Sequence, residues 1–461
     1  MEAFYFMLRA FFEVAPFVVA VLLALGVGLF CVMSYDRVAV GVGGAVAVYV
    51  LMQIFPNLGI HLGLYLSLFD LYFLPLALVV GVRILGGHLE LRDNITRVWV
   101  LLVVVWGALF AVGLVQYKTA AGVEFRSTFY TAVCVLYLLS QRLTAEHVGR
   151  VFGVLYAGTL TLVVVAVYRW ICVAVGEYGH WYDPTTPLRV LNSGASMVVA
   201  LAMLPGLAMW MKLNTTRTAM MMLAPLLMLA VMVLGHRSVW VAAFAALGFA
   251  WWLAGRRRRG GQAGLLVPLA IGTLTLGLLF VLAPRSTVTQ EFQRSVAETQ
   301  SKTSTLAWRV DSWKSLLDDW VASGPAVWPA GKPFGASKRR YIESQGMESE
   351  VGAHSHYVSL LIRGGLLGVF AFLAASFLSL RRLTSRPVAT PDWLGGELLA
   401  VFLVGYLVYG LAYSAEYMHA LFVGLAFTLA TRAPSTVAAD STAAPTLAVV
   451  PDVGWQRLKT R

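Results

Sequence analysis

The sequence predicts an all-α polytopic membrane protein, with about 12 transmembrane helices and one large, partly helical loop outside the membrane. Composition is the first reason: 59% of the 461 residues are hydrophobic and only 13% are charged. A soluble domain of this length could not bury so much apolar surface. The second reason is that apolar runs of about 17–25 residues, long enough to cross the hydrocarbon core, follow one another with short gaps. They lack the alternation typical of strands, so we expect helices.

About thirteen apolar runs are candidates for spanning helices. The run near 127–141 is short, and the first run fits either a full or a half span, so the exact number stays open. No short apolar segment with an Ala-x-Ala cleavage site precedes the first run, so we expect no removable signal peptide. The candidate runs are 15–33, 38–54, 63–84, 97–115, 127–141, 150–174, 191–212, 218–235, 238–254, 263–283, 357–380, 396–413 and 416–432.

Basic residues in short loops predict the orientation, because such loops stay in the cytoplasm. We place three basic clusters there, which puts the loop 285–356 and the turns around Arg189 and Arg237 on the opposite side. The net charge of +12 is therefore expected to lie mostly on the cytoplasmic face, and we expect no nucleic acid as a partner. The clusters are 256–259, Arg381 with Arg382 and Arg386, and Lys212 with Arg217.

The hydropathy profile divides the chain into four parts. The last part is rich in Ala, Thr, Pro and Ser and lacks helical periodicity, which predicts disorder. The parts are a transmembrane helical bundle (1–284), a large outer loop with amphipathic helices (285–356), C-terminal transmembrane helices (357–432) and a disordered cytoplasmic tail (433–461).

The large loop is long enough, at about seventy residues, to suggest a function of its own. Within it, TLAWRVDSWKSLLDDWVAS predicts an amphipathic helix. Arg309 falls on the predicted apolar face, where it either snorkels to the surface or points at an anion in a cavity that the face covers. The Gly/Pro-rich segment 324–341 predicts a loop near the lipid headgroups. The apolar positions of the helix are Leu306, Val310, Trp313, Leu316, Leu317 and Trp320.

Two more arginines lie at membrane edges on the same predicted side. Arg237 sits in a tight turn between two apolar runs, and Arg189 opens another helix, with Asn192 as a nearby donor. An arginine at the membrane is costly and is therefore a functional candidate, while interfacial anchoring is the alternative for each. Asp70 and Glu416 fit helix caps or contacts between helices as well as they fit catalysis.

Two histidines lie one residue apart in GAHSHYVSLLIRGGLLG, where a polar segment becomes apolar. If the stretch is one helix, Gly365 and Gly368 share the face of His354, and glycines allow another helix to approach closely. This predicts that His354 points into the bundle and that His356 faces elsewhere, as an interfacial polar residue. A histidine can accept a proton near neutral pH, so His354 is the candidate base. A histidine satisfied at a helix start is the alternative.

The sequence predicts no metal and no other cofactor. It has no HExxH segment, no Cys/His spacing of the kind that binds zinc and no glycine-rich phosphate loop. Asp318 and Asp319 are expected on the exposed side of their helix. The three cysteines, Cys31, Cys134 and Cys172, are scattered in apolar runs and fit small buried residues.

At these residues the chain resembles the family of bacterial O-antigen ligases and the related polymerases and O-oligosaccharyltransferases. His354 with Ser355, nine further residues and then GLLG are similar to the family pattern H-[Asn/Ser/Gln]-x9-G-x-x-G. The order of the charged residues is similar as well: Arg237 in a short outer turn, then Arg309 in the first helix of a large periplasmic loop, then the histidine. The R-x-x-N segment that starts at Arg189 is similar more weakly.

The resemblance implies a glycosyltransferase of the bacterial inner membrane whose active site faces the periplasm. The donor would be a glycan on undecaprenyl pyrophosphate and the acceptor a hydroxyl of a lipid A-core sugar, so the product would be complete lipopolysaccharide, formed without a metal. His354 would be the base of an inverting displacement. Binding of the pyrophosphate would fall to Arg237, Arg309 and Arg189, with Ser355, Asn192 and His356 in support.

Several alternatives stay open at this point. A polymerase or a protein O-oligosaccharyltransferase would use the same donor with a different acceptor. A lipid or glycan transporter, which is not an enzyme, would also be basic and polytopic. It would normally show internal repeats or helices broken at the midplane, and no repeat is visible here. Ser355 stands where the family more often has asparagine, and the neighbouring His356 is an alternative to His354.

Overall fold

A computed structural model shows a mainly helical chain, which confirms the predicted fold class at that level. It describes residues 25–61, 65–184, 188–200, 231, 233–256, 282, 289–290, 293, 305–342, 346–350, 352–385, 393–414 and 416–432. The contacts divide the chain into two units, Met1–Thr431 and Arg432–Arg461. All elements named below belong to the first unit, and the predicted disordered tail lies outside the described residues.

Helices and two small antiparallel hairpins make up most of the described chain. The helices are α1 (Leu25–Asp36), α2 (Val38–Ile54), α3 (Leu68–Leu85), α4 (Asn94–Tyr117), α5 (Thr119–Leu139), α6 (Ala145–Ala174), α7 (described over 193–200), α8 (Arg237–Arg256), α9 (Thr305–Ala322), α10 (His356–Ser385), α11 (Trp393–Tyr409) and α12 (Tyr417–Thr431). One hairpin pairs β1 (Gly59–His61) with β2 (Tyr65–Ser67), and the other pairs β3 (Arg340–Ile342) with β4 (Met347–Ser349).

Four of the described helices are long and apolar enough to cross a membrane by length and composition, namely α3, α4, α6 and α10. Helices α1, α2, α8, α11 and α12 are apolar but shorter. The predicted runs 218–235, 263–283 and most of 191–212 lie outside the described residues. The run predicted as short, 127–141, is part of a longer helix, because α5 begins at Thr119.

The start of α3 shows how a charged residue fits beside an apolar run. The side chain of Ser67 accepts from the backbone N–H of Asp70, while Asp70 Oδ2 accepts from the backbone N–H of Ser67 at 2.9 Å. This capping box satisfies N–H groups that the first turn leaves without partners. Tyr130 of α5 also donates to Asp70, over 2.5 Å. The structure thus confirms both the cap and the contact between helices that the sequence allowed for Asp70.

One end of the bundle is held by two arginines. Arg83 of α3 donates to the backbone oxygen of Ser140 at the end of α5, at 2.7 Å from Nη2. Arg382, near the end of α10, forms an ion pair with Asp93 before α4. The ends of α3, α5 and α10 and the start of α4 therefore meet at this end, called here the arginine end.

The candidate site lies at the other end of the same helices. Tyr49 of α2 donates to Glu416, just before α12, over 2.7 Å, which gives Glu416 a contact between helices. The backbone N–H of His356, the first residue of α10, donates to Gly410 O at 2.7 Å. Helix α10 has 30 residues and runs from the candidate site to the arginine end.

Helix α10 is broken at Gly365, where the sequence predicted a continuous helix. Gly365 has φ +60° and ψ −160°, a conformation that is nearly restricted to glycine. Backbone groups of the preceding loop replace the lost helical hydrogen bonds: Lys332 N donates to Ile362 O at 2.6 Å, and Leu366 N donates to Trp328 O at 2.9 Å. Non-helical backbone at membrane depth requires such protein partners.

The two motif glycines make different contacts. A Cβ at Gly368 would lie 3.5 Å from the side chain of Leu102 on α4, so this glycine faces a neighbouring helix. A Cβ at Gly365 would lie 2.5 Å from the backbone nitrogen of Ala330. The close neighbour at Gly365 is therefore a loop and not a helix.

A buried ion network fixes the loop that fills the break. The guanidinium of Arg363 donates twice to Glu124 of α5, at 2.7 Å each. Lys338 forms an ion pair with the same carboxylate, which also accepts from the backbone N–H of Gly335 at 2.6 Å. Phe334 is only 1% exposed. The middle part of this segment inserts between helices, and its position near the lipid headgroups stays a prediction.

Candidate active site

Arg189 is held in a short loop by the end of α6 and by the turn before α8. Trp170 Nε1 donates to Leu188 O at 3.0 Å, and Arg169 Nη1 donates to Val190 O at 2.6 Å. On the other side, His236 Nε2 donates to Leu191 O at 2.9 Å. Three carbonyls around Arg189 are thus fixed by side chains, so the loop is ordered by its neighbours.

The Arg189 side chain packs on a turn that only glycine fits well. Gly235 has φ +69°, and a Cβ there would lie 3.5 Å from Arg189 Nε. This Nε is buried and has no hydrogen-bond partner among the described residues. Buried donors normally find a partner, so an unpartnered guanidinium N–H suits an anionic ligand.

Asn192 and Ser193 organise the helix that follows this loop. Asn192 Oδ1 accepts from Ala195 N at 2.7 Å, which is the bond of a helix N-cap. The Ser193 hydroxyl accepts from Tyr409 of α11 at 3.2 Å. Asn192 therefore caps α7, and this capping bond is the contact that its side-chain oxygen makes.

Arg309 lies on the buried face of α9, which confirms the predicted amphipathic helix at 305–323. Its guanidinium carbon stands 4.5 Å from the centre of the Tyr413 ring, a cation–π contact. Arg309 Nε is buried without a hydrogen-bond partner among the described residues. The predicted buried face is only partly right, because Leu306 and Val310 are about half exposed, at 48% and 49%.

Arg189 and Arg309 both act electrostatically on His236. Burial lowers the pKa of His236 to about 4, and the positive charges of both arginines add to this shift against the opposing effect of its bond to Leu191. His236 is therefore neutral at neutral pH, and its Nε2 carries the proton that it donates to the loop. The turn before α8 and helix α9 face the Arg189 loop from two sides.

His354 completes the cluster, next to α9. Its ring meets the ring of Trp308 edge to face, with 5.1 Å between centroids. The side chain is half-buried, and burial lowers the pKa of His354, with further lowering by the charges of Arg309 and Arg340. A neutral imidazole beside two cations can accept a proton from a reacting hydroxyl.

The structure reverses the predicted orientation of the two histidines. His354 precedes α10 and has φ +45°, which a helical residue cannot have, so it shares no helical face with Gly365 or Gly368. His356 is the one that points into the bundle: it is 8% exposed and its ring centre lies 4.7 Å from that of Phe372. The prediction failed because helical spacing was extended past the start of the helix.

Ser355 occupies the N-cap position of α10. Its hydroxyl accepts from Val358 N at 3.4 Å and donates to Gly410 O at 3.4 Å. A serine at this position suits a helix start as well as the asparagine more usual in the resembling family, because both cap helices well. Ser355 therefore sets the direction of α10 directly after His354.

Arg237 and Arg340 occupy different positions around the cluster. Arg237 is half-buried as the first residue of α8, directly after His236, and its side chain makes an interaction of its own. Arg340 of β3 is 6% exposed, and its Nε and Nη2 donate to Ser312 of α9 at 2.9 and 2.6 Å. The sequence predicted Arg340 only as part of a basic loop.

Three site residues were missed from the sequence: Arg169, His236 and Arg340. Arg169 could have been found, since it is an arginine inside the apolar run 150–174, and such residues are functional candidates by default. His236 and Arg340 gave no comparable signal, because neither lies inside an apolar run. Among the described residues, no group of three or more His, Cys, Asp or Glu side chains could hold a metal ion.

The arrangement combines positively charged side chains with one proton acceptor. The Nε–H groups of Arg189 and Arg309 have no hydrogen-bond partner within the described part of the chain, and His354 offers a neutral ring nitrogen near Arg309. Such a set suits a reaction in which an anionic leaving group departs while a hydroxyl loses its proton. The long apolar helices of the same unit suit substrates that carry lipid tails.

Residues 221–373 match the family model described as O-antigen ligase. This match, which covers about a third of the chain, supports the O-antigen ligase superfamily. The family covers O-antigen ligases and polymerases, which suggests a glycosyltransferase-like enzyme of the O-antigen pathway. The family and the apolar helices together support a multi-pass membrane protein. The matched region contains His236, Arg309 and His354, while Arg189 lies outside it. A comparison with curated proteins finds no match.

Proposed function

We propose that this protein is an O-antigen ligase. It would transfer a glycan from undecaprenyl pyrophosphate to a hydroxyl of a lipid A-core sugar, at the periplasmic face of the inner membrane. The observation that carries the proposal is the pair of buried Nε–H groups of Arg189 and Arg309, which have no hydrogen-bond partner among the described residues, together with the neutral His354 near Arg309. This pair suits a pyrophosphate, and the histidine suits an attacking hydroxyl.

The proposed reaction is a single displacement at the anomeric carbon. The acceptor oxygen attacks this carbon from the side opposite the pyrophosphate, and the bond between the carbon and the phosphate oxygen breaks with its electron pair. The acceptor proton moves to the ring of His354. The products are an inverted glycosidic bond and undecaprenyl pyrophosphate, whose charge Arg189 and Arg309 stabilise. Arg237, at the start of α8, is proposed to support the same phosphates.

The break in α10 gives little support to a transporter. Discontinuous helices in transporters expose free backbone groups to their substrates. At Gly365, by contrast, the carbonyl of Ile362 and the N–H groups of Leu366 and Leu367 are bonded to the loop 328–332. The break is therefore filled by protein, which fits a loop anchor better than a substrate site.

A transfer assay with purified protein tests the proposed base. The donor would be a synthetic polyprenyl-pyrophosphate-linked oligosaccharide and the acceptor a lipid A-core preparation. We expect His354→Ala to lower the transfer rate by about 10²–10⁴-fold, the usual contribution of a general base. His147→Gln is the control, because His147 is a partly exposed capping residue at the start of α6 and glutamine preserves its capping box. Normal transfer by His354→Ala would disprove the mechanism.

The acceptor is tested in cells. Loss of a ligase leaves core-only lipopolysaccharide while lipid-linked polymer accumulates. Loss of a polymerase instead leaves lipopolysaccharide capped with single repeats, and this pattern would replace the ligase proposal by the polymerase one. A protein O-oligosaccharyltransferase would leave lipopolysaccharide unchanged.

A further inference from the structure

We infer that Arg169 is a positioning residue that holds Arg189 in place for the donor pyrophosphate. The inference rests on the proposed function, in which Arg189 contacts the donor. Arg169 itself does not reach the reacting atoms in this arrangement; it acts through the loop that carries Arg189.

Arg169 joins three parts of the structure. It lies near the end of α6 and is 5% exposed. Its Nη1 donates to Val190 O at 2.6 Å, and its Nη2 donates to Gln53 O at the end of α2. Its guanidinium carbon lies 5.4 Å from the centre of the Trp181 ring. One planar group thus ties the residue after Arg189 to two helices and an aromatic side chain.

The neighbouring Trp170 holds the other side of the same loop. Its Nε1 donates to Leu188 O at 3.0 Å, so the peptide units before and after Arg189 are both held by α6. This arrangement restrains the backbone at Arg189, whose side-chain Nε has no hydrogen-bond partner among the residues that the structure describes. Because the backbone at Arg189 is already fixed, less conformational entropy is lost when its side chain binds an anion.

Arg169 is also an unusual choice for a merely structural residue. Among the described residues it bonds to carbonyl oxygens and has no carboxylate partner. A buried cation without a counter-ion is costly, and an apolar side chain would pack α6 more cheaply. The free-energy cost of burying this cation has a reason if the forked guanidinium holds two carbonyl groups at a fixed separation. One of these carbonyls belongs to the Arg189 loop.

The test separates loop order from activity. Arg169→Lys keeps the charge but loses the fork, and Trp170→Phe removes only the bond to Leu188. In both variants we expect faster amide hydrogen exchange at 188–192 than in the wild-type protein, with unchanged exchange in α10. For Arg169→Lys, we expect kcat/KM for the polyprenyl-pyrophosphate donor to fall by about 10²-fold, as for a small misplacement of a binding group. KM for the acceptor should not change.

A double variant shows whether Arg169 acts through Arg189. If it does, Arg169→Lys should lower donor kcat/KM in the wild-type background but cause no further loss in an Arg189→Ala background. Arg150→Lys is the matched control, because Arg150 lies on the same helix, is exposed and pairs with Glu146. It should alter neither exchange nor transfer.

Two results would overturn the inference. The first is amide hydrogen exchange at 188–192 that stays at the wild-type rate in both α6 variants. The second is a loss of donor kcat/KM from Arg169→Lys in the Arg189→Ala background that is as large as its loss in the wild-type background. Trp170→Phe keeps the test valid if Arg169→Lys does not fold. Failure of the proposed function would give a different result. Arg189→Ala would then transfer the glycan at the wild-type rate, while Arg169→Lys would still speed amide hydrogen exchange at 188–192.

Discussion

His354 combines a backbone conformation that is rare outside glycine with a ring facing positive charge. With φ +45°, it ends the loop before α10 and turns its ring toward Trp308 and α9. Burial and the charges of Arg309 and Arg340 lower the pKa of His354. The ring is therefore neutral at neutral pH, and a base of this kind loses activity only when the pH falls through the lowered pKa.

Removal of one positive charge near His354 should shift the pH range in which kcat/KM falls on the acidic side. In Arg340→Gln the pKa of His354 should rise, because the cation that disfavours imidazolium is gone. The low-pH limb of the plot of kcat/KM against pH should then shift to higher pH, while the rate above the limb changes little. Arg339→Gln is the control, since Arg339 is exposed and pairs with Glu348. Identical limbs for wild type and Arg340→Gln would contradict a base at His354.

Arg309 should act on the pyrophosphate by hydrogen bonding and charge together. Arg309→Met keeps the length of the side chain but removes the guanidinium that lies over Tyr413. We expect a loss of about 10²–10³-fold in kcat, the scale found when one donor to a developing negative charge is removed. Lys314→Met, an exposed change on the same helix, should transfer normally. Equal rates for the two variants would remove Arg309 from the site.

At the scale of single elements, the break in α10 decides where the loop 328–338 lies. Gly365→Ala should destabilise the protein by at least about 1–3 kcal/mol, because it puts a side chain into a strained backbone region. The added Cβ would also meet the backbone of Pro329 and Ala330. Thermal unfolding in detergent measures the change.

The neighbouring glycine supplies the comparison. At Gly364 a Cβ would lie 3.4 Å from Trp106 Nε1 and 3.6 Å from Leu102, so Gly364→Ala needs little adjustment. Its unfolding midpoint should stay close to that of wild type. If both variants melt alike, the conformation at Gly365 does not matter to the fold.

The ion network at Glu124 should contribute more than any surface pair in the described chain. Glu124→Gln leaves Arg363, which is 5% exposed, and Lys338 without their carboxylate. Breaking a buried pair in this way costs about 3–5 kcal/mol. The same substitution at the exposed Glu146, which pairs with Arg150, should cost about 0–1 kcal/mol. Unfolding midpoints of the two variants, measured side by side, decide between these values.

Across the whole molecule, the sequence predicted what depends on local periodicity. Apolar length alone gave runs that match α2 and α4, and spacing gave the amphipathic α9 with Arg309 on its buried face. It could not predict the pair of Arg363 and Glu124, which lie 239 residues apart. It also could not predict the backbone angle of His354, because that angle depends on the loop, α9 and Gly410 together.

Orientation is the last property that concerns the whole molecule. Helix α10 joins the candidate site at its start to the arginine end at Arg382, so the two ends should lie on opposite sides of the membrane. In a background with Cys31, Cys134 and Cys172 replaced by alanine, single cysteines would be introduced as Gly352→Cys and Arg381→Cys, both at exposed positions. We expect a membrane-impermeant maleimide to label Gly352→Cys in intact spheroplasts.

Arg381→Cys should be labelled only after the membrane is permeabilised, because basic residues near helix ends favour the cytoplasmic side. The parent without cysteines should not be labelled under either condition. The opposite pattern would place His354 in the cytoplasm, away from any periplasmic acceptor. Labelling of both cysteines in intact spheroplasts would mean that α10 does not span the membrane, and the site could not then face the periplasm by this topology.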